Sequence, residues 1–250
     1  MNFIDEFYRL KNNKFFNKII IILFLFIIIL IAGFFMLRYQ VEGETNLPFI
    51  LSKIIVVSSA EGNDLETTDS KWSFSLAQNN DFYISINKNE EYTRSETIKS
   101  IKIENIQVDK KKSIGTIKNY KPSSEGLFKN EDQHIISNTL EYIGNTESNI
   151  NELKIGNQGG TILFRSSNTD ILTYNSNDDE ILHDGTLLAK AGITSEQLEY
   201  SIKFDLIIET NRGIKYKGTI NMNLPEGDIL SNGRTSIEKN NFDDVVFKRI

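Results

Sequence analysis

His134 and His183 are the only histidines in a 250-residue chain that has no cysteine. His183 follows Asp178, Asp179 and Glu180 in one loop, and an imidazole beside carboxylates is the raw material of a metal or acid–base site. Asp178, Asp179 and His183 are therefore the metal candidates. The run Asn177-Asp178-Asp179-Glu180 also suggests calcium, an ion held by oxygen ligands. It lacks the alternate-position spacing and the turn glycine of calcium loops, and Asx-rich turns commonly bond their own backbone. Solvated loop residues account for this cluster more simply, and no cofactor is expected.

Other chemistry finds less support. Glu61 and Asp64 lie in the turn-like segment Glu61-Gly62-Asn63-Asp64, where a glycosidase would need a second carboxylate across a cleft; no residue marks that partner. No serine occupies a nucleophile elbow. Gly156-Asn157-Gln158-Gly159-Gly160 lacks the Lys and Ser/Thr of a phosphate loop and reads as a hairpin turn into a strand at 161–165. Trp72 alternates with Phe74 and Leu76, which places it in the core. Tyr83, Tyr92, Tyr120 and Tyr174 remain as ligand-facing candidates for stacking on sugar rings, although scattered tyrosines also decorate ordinary surfaces.

The segment that must position all this begins with a membrane signal. Residues 19–37 form an unbroken apolar run, about 28 Å long as a helix, which matches the hydrocarbon core of a bilayer. Arg9, Lys11, Lys14 and Lys18 precede it, while Glu42 and Glu44 follow. This asymmetry predicts a cytoplasmic N-terminus and an extracytoplasmic C-terminal domain. The apolar core exceeds that of a cleaved signal peptide, and no small-x-small site closes it, so an uncleaved signal-anchor is expected. In residues 1–18, Phe3, Ile4, Phe7 and Leu10 fall at helical spacing, consistent with either an amphipathic helix on the inner leaflet or a plain basic tail.

Charge and composition narrow the classes. The tail before residue 19 holds four basic and two acidic residues, leaving 24 basic against 32 acidic beyond it, a net −8. An acidic domain is a poor partner for nucleic acid. Without cysteine it has neither disulfides nor thiol chemistry, and about 200 residues suffice for a core that needs none. The missing cysteines, the absence of Asn-x-Ser/Thr and the richness in Ile, Lys and Asn point to a bacterial cell envelope.

Beyond a juxtamembrane segment at 38–48, the chain reads as strands. Residues 49–57 are apolar on both faces, as in a buried strand. Trp72, Phe74 and Leu76 alternate with polar residues, as do Phe82, Ile84 and Ile86. The intervening Gln78-Asn79-Asn80-Asp81 has turn composition, so a hairpin is expected there. Ile101 and Ile103 fall out of phase with Ile106 and Val108, the mark of a β-bulge near Glu104-Asn105. Residues 114–120 would supply a return strand. Residues 200–208 and 214–224 alternate as a long hairpin around Asn211-Arg212-Gly213, with Lys203, Lys215 and Lys217 facing Asp205 and Glu209 on its wet side. Short helical turns are expected at 186–192 and 194–198, the second with a capping pattern from Thr194 to Gln197. Residues 245–250 would close the fold. Loops at 121–133, 145–151 and 175–184 are long enough to carry function.

The expected architecture is an all-β antiparallel sandwich or jelly roll at 49–250, preceded by a single transmembrane helix. The expected function is non-catalytic binding or scaffolding of a protein partner or a cell-surface glycan, from a lipid-bilayer anchor at 19–37. A membrane-bound hydrolase of cell-wall glycan or peptide is the alternative from the enzyme class. An accessory subunit of an envelope complex is the other, although Ala32-Gly33 is the helix's one close-packing spot.

Overall fold

The computed structural model describes residues 14–66, 70–123, 125–144, 153–181, 185–225 and 227–250. Phe3, Ile4, Phe7 and Leu10 of the expected amphipathic tail, and the loop at 145–151, lie outside these residues. Two compact units divide the chain, Met1–Thr45 and Asn46–Ile250.

The first unit contains α1, Lys14–Glu42. Within it, Asn17–Glu42 is long and apolar enough to cross a membrane. The helix runs five residues past the apolar stretch, so the start of the expected juxtamembrane segment is helical. Arg38 Nε pairs with Glu42 Oε2 at 2.7 Å, one turn apart, which favours that extension.

The second unit is mostly β-sheet. Its strands are β1 (Phe49–Asp64), β2 (Trp72–Lys88), β3 (Ile98–Asp109), β4 (Thr116–Tyr120), β5 (Thr139–Gly144), β6 (Lys154–Ile155), β7 (Gly159–Ser176), β8 (Tyr200–Thr210), β9 (Lys215–Leu224), β10 (Arg234–Lys239) and β11 (Lys248–Arg249). Two short helices, α2 (Leu187–Lys190) and α3 (Ile229–Asn232), interrupt them. The strands form two open sheets, ordered β10-β1-β2-β7-β4 and β11-β9-β8-β3-β5-β6. All pairings are antiparallel except β5 with β6.

One apolar cluster draws on both sheets. At its centre Phe82 of β2 stacks on Phe164 of β7 at 4.3 Å, and Phe204 of β8 meets them edge-on at 6.1 and 5.2 Å. These are the favoured geometries for aromatic rings. A second cluster joins Phe74 and Leu76 of β2, Ile171 of β7, Leu187 and Leu188 of α2, and Ile229 of α3. The 16 to 18 residues of β1, β2 and β7 are what allow one sheet to serve both clusters.

Several expectations change. Residues 72–88 are one continuous strand, not a hairpin. The run Gln78-Asn79-Asn80 lies fully buried at mid-strand. Asn80 finds partners on neighbouring strands: Ser58 Oγ donates to Asn80 Oδ1 at 2.7 Å, and Asn80 Nδ2 donates to Tyr200 Oη at 2.9 Å, whereas Gln78 Oε1 and Asn79 Nδ2 are buried without a hydrogen-bond partner among the described residues. The strand at 116–120 joins β7 in the other sheet, not β3. The glycine segment after β6 is a switch between sheets, not a hairpin turn, since β6 and β7 belong to different sheets. Gly159 is held at φ 127°, and a Cβ there would sit 2.3 Å from the Ile86 carbonyl oxygen. Trp72 is 37% exposed rather than in the core, with its Nε1 donating to the Asp178 carbonyl at 3.0 Å.

Others hold. The β3–β8 register shifts between Glu104 and Gln107, and Asn105 adopts φ 54° at the bulge. The β8–β9 hairpin pairs Tyr200 with Leu224 through Glu209 with Lys215. A 3-10 turn at Ser195–Gln197 is capped as expected, with Thr194 N donating to Gln197 Oε1 at 2.9 Å.

Candidate functional site

The expected metal candidates are not brought together among the described residues. Asp178 Oδ2 accepts from Ser176 Oγ at 2.9 Å, and Ser176 Oγ in turn accepts from Asp178 N. Asp179, almost fully exposed, pairs with Lys71 Nζ at 2.5 Å. His183 lies outside the described residues. His134 sits 4.0 Å from Glu131 in a separate turn. No group of three or more His, Asp or Glu residues suited to a metal occurs among the described residues.

The tyrosines scatter as well. Tyr92 lies in the turn after β2 and Tyr174 near the end of β7, both half-buried. Tyr120, expected at the surface, is 2% exposed. Burial pushes its phenol pKa up. Tyr83 is half-buried on β2.

The register of the five-stranded sheet assembles a different set. Directly paired residues share a face, so the pairings can be followed across all five strands. One row runs Ser236, Val57, Asp81, Arg165, Tyr120, and the next runs Arg234, Ser59, Asn79, Ser167, Lys118. Both lie on the face away from Phe82 and Phe164. On the opposite face a third row, Thr235, Ser58, Asn80, Ser166, Asn119, is polar from edge to edge. This row separates the two apolar clusters.

Arg165 is the hub of the outer face. Its Nε and Nη2 donate to the two oxygens of Asp81 at 2.5 and 3.0 Å, and its Nη1 donates to Asn130 Oδ1 at 3.2 Å. The Phe128 ring lies 4.8 Å from the guanidinium carbon, a cation–π contact. Asn130 Nδ2 also donates to Asn79 Oδ1, which accepts from Ser167 Oγ as well. The segment at 125–135 therefore covers the β7–β4 side of this face. Burial works against the Arg165 charge; the hydrogen bonds and charge of Asp81, helped by Glu61 and Tyr83, outweigh it and hold its pKa above the ordinary value.

Towards β1 and β10 the face stays open as a cleft of about 480 Å³, lined by Val57, Ser59, Glu61, Asp81, Arg165, Asn232 and Arg234 among others. A smaller hollow of about 290 Å³ continues past Glu61 to Asn63 and Leu187. Glu61 was legible as a candidate carboxylate; Asp81, Arg165 and Arg234 were missed. Their signal is faint but physical: Asp81 and Arg165 each sit beside a phenylalanine, Phe82 and Phe164, in two strands, and opposite charges so placed need each other.

A second cleft, of about 530 Å³, lies at the β3 bulge and is lined by Glu104, Asn105, Asn119, Ser137, Asn138 and Thr139 with two isoleucines. It is amide-rich but has no charge pair and no aromatic ring.

Both oxygens of Asp81 accept from Arg165, which leaves Glu61 as the carboxylate of the cleft that is not held by that pair. Compared with protein-family models, with curated proteins and with solved structures, the chain matches none.

Proposed function

We propose that this chain is a single-pass protein of a bacterial cell envelope, with a cytoplasmic N-terminus, an uncleaved signal-anchor and an extracytoplasmic β-sandwich that binds cell-surface glycan without cleaving it. The anchor reading is supported by α1, which is long and apolar enough to span a bilayer, and by the basic residues ahead of it. The sandwich reading is supported by the larger of the two apolar clusters, which draws on both sheets.

One observation carries the binding reading: the cleft beside the Asp81–Arg165 pair. Its volume, about 480 Å³, suits a mono- or disaccharide. Planar carboxylate, amide and guanidinium groups match the paired donors and acceptors of sugar hydroxyls, and Glu61, Asn232 and Arg234 supply them at the rim. Tyr83 is two residues along β2 from Asp81 on the same face. The bidentate pair fixes the floor before any ligand arrives, which lowers the ordering cost of binding.

The test uses the full chain in lipid nanodiscs, titrated with soluble cell-wall glycan fragments. Saturable binding that weakens at least tenfold in E61Q and R234A, with K203A unchanged, is the expected outcome. Binding indifferent to both rim substitutions removes the cleft from the reading, and release of new reducing ends would replace binding by hydrolysis.

A further inference from the structure

Strand edges offer unpaired backbone groups to a neighbour, and proteins usually blunt them. Three of the four sheet edges here are blunt. The six-stranded sheet ends in β11 and β6, each two residues long. The edge of β4 is shielded by the following segment, where Lys121 N donates to His134 O and Ile136 N donates to Asn119 O, both at 2.8 Å. The fourth edge is β10. It has six residues, pairs with β1 on one side, and has no strand on the other among the described residues.

The side chains of β10 distinguish a protected edge from a pairing one. A protected edge carries like charges that repel a second copy. On β10, Arg234, Ser236 and Glu238 alternate on the outer face and Thr235, Ile237 and Lys239 on the other, with Ile237 41% exposed and Lys239 paired with Asp244 at 3.0 Å. Two copies joined edge to edge keep their core faces on the same side only if the two-fold axis is normal to the sheet. Such an axis must centre on a residue. Centred on Ser236, antiparallel pairing sets Arg234 of each copy opposite Glu238 of the other and Thr235 opposite Ile237, twice over. Centred on Thr235 or Ile237, both Arg–Glu pairs are lost. Opposite charges directly across strands favour pairing, and the Ser236 register also covers the exposed Ile237.

We infer that β10 is a self-association edge: a second copy of this chain adds its own β10 antiparallel about Ser236, giving one continuous ten-stranded sheet. The contact is isologous, as closed dimers require, and uses backbone hydrogen bonds as in strand addition. It stands on the strand edge and does not depend on a ligand in the cleft. Because Arg234 also lines the cleft, the second copy brings its Glu238 to the rim.

The chain has no cysteine, so one introduced thiol reports the register. Residues opposite each other across an antiparallel pair have Cα atoms about 4.5–5.5 Å apart, within disulfide reach. In the full chain in lipid bilayers, S236C should form a disulfide dimer at least tenfold faster than K203C, which is on an exposed face of β8. R234E in the S236C background should slow the reaction at least tenfold, and R234E with E238R should restore it. Cross-linking of S236C no faster than K203C, or no rescue by the charge swap, overturns the inference.

Discussion

Asp81 keeps both carboxylate oxygens on Arg165, and the two side chains are only 15% and 12% exposed. At that burial the consequence of removing one partner is asymmetric. R165A leaves a mostly buried carboxylate without its cation, and should lower unfolding stability by about 3 kcal/mol. The double variant D81A/R165A removes both charges and should be more stable than R165A alone, because no unpaired charge remains. Denaturant unfolding of the three proteins measures this. A double variant no more stable than R165A would mean that Arg165 acts through Phe128 and Asn130 packing and not through Asp81.

Elements show where local sequence suffices and where it does not. The β8–β9 hairpin is legible because its period-two pattern has one wet face, and the bulge in β3 is legible because a phase slip leaves a visible mark. The course of β2 is not, because Gln78-Asn79-Asn80 has the composition of a turn. Only the flanking strands, which bring Ser58 and Ser166 alongside, make it a buried polar row. For the same reason the cleft is legible at Glu61 alone: its other charged groups come from strands far apart in sequence. The bulge itself is a testable joint. Asn105 sits at φ 54°, a region asparagine tolerates and β-branched residues do not, and its Nδ2 donates to Asp205 Oδ2 at 2.8 Å. N105V should cost about 2 kcal/mol from backbone strain alone, while N105G keeps the backbone and loses only the hydrogen bond. Thermal melts that rank N105V above N105G would show that the positive φ is not what asparagine serves there.

Two carboxylates of β8, Asp205 and Glu209, have lowered pKa values and so are expected to contribute to acid sensitivity. Burial pushes the Asp205 pKa up, but hydrogen bonds from Thr219 and Asn105 and the charge of Lys217 outweigh it, so the net shift is downward. The hydrogen bond from Lys99 lowers Glu209 in the same direction. A depressed folded pKa means that the unfolded chain takes up protons first as pH falls. The stability from these two groups is complete above the ordinary carboxylate range, roughly pH 4–5, and is lost as pH falls through that range towards the folded values. D205N with E209Q should be less stable at neutral pH and show a shallower loss between about pH 5 and 2. An acid limb as steep as that of the unaltered chain would assign acid sensitivity to other carboxylates.

At the scale of the whole molecule, the apolar run and the β-rich remainder were legible because each is a repeating pattern: one continuous, the other alternating. What joins them is a matter of a few residues. α1 ends at Glu42 and β1 begins at Phe49. Between them Leu47 packs against the core, and its carbonyl accepts from Asn89 Nδ2 at 2.8 Å. Pro48 O likewise accepts from Asn89 N at 2.9 Å. The β unit thus anchors its own N-terminal end within three residues of Asn46. A chain of about 205 residues starting at Asn46 retains both apolar clusters and every strand pairing, and domains of that size bury enough surface to fold alone. It should remain in solution without detergent, sediment with no membrane fraction, and melt within about 2 °C of the full chain, a shift worth less than about 1 kcal/mol at this size. A chain starting at Phe49 discards Leu47 and Pro48 and should melt lower. Equal melting of the two truncations would show that Asn89 and the residues before β1 contribute nothing to the fold, and aggregation of both would place part of the β unit's stability in the helix.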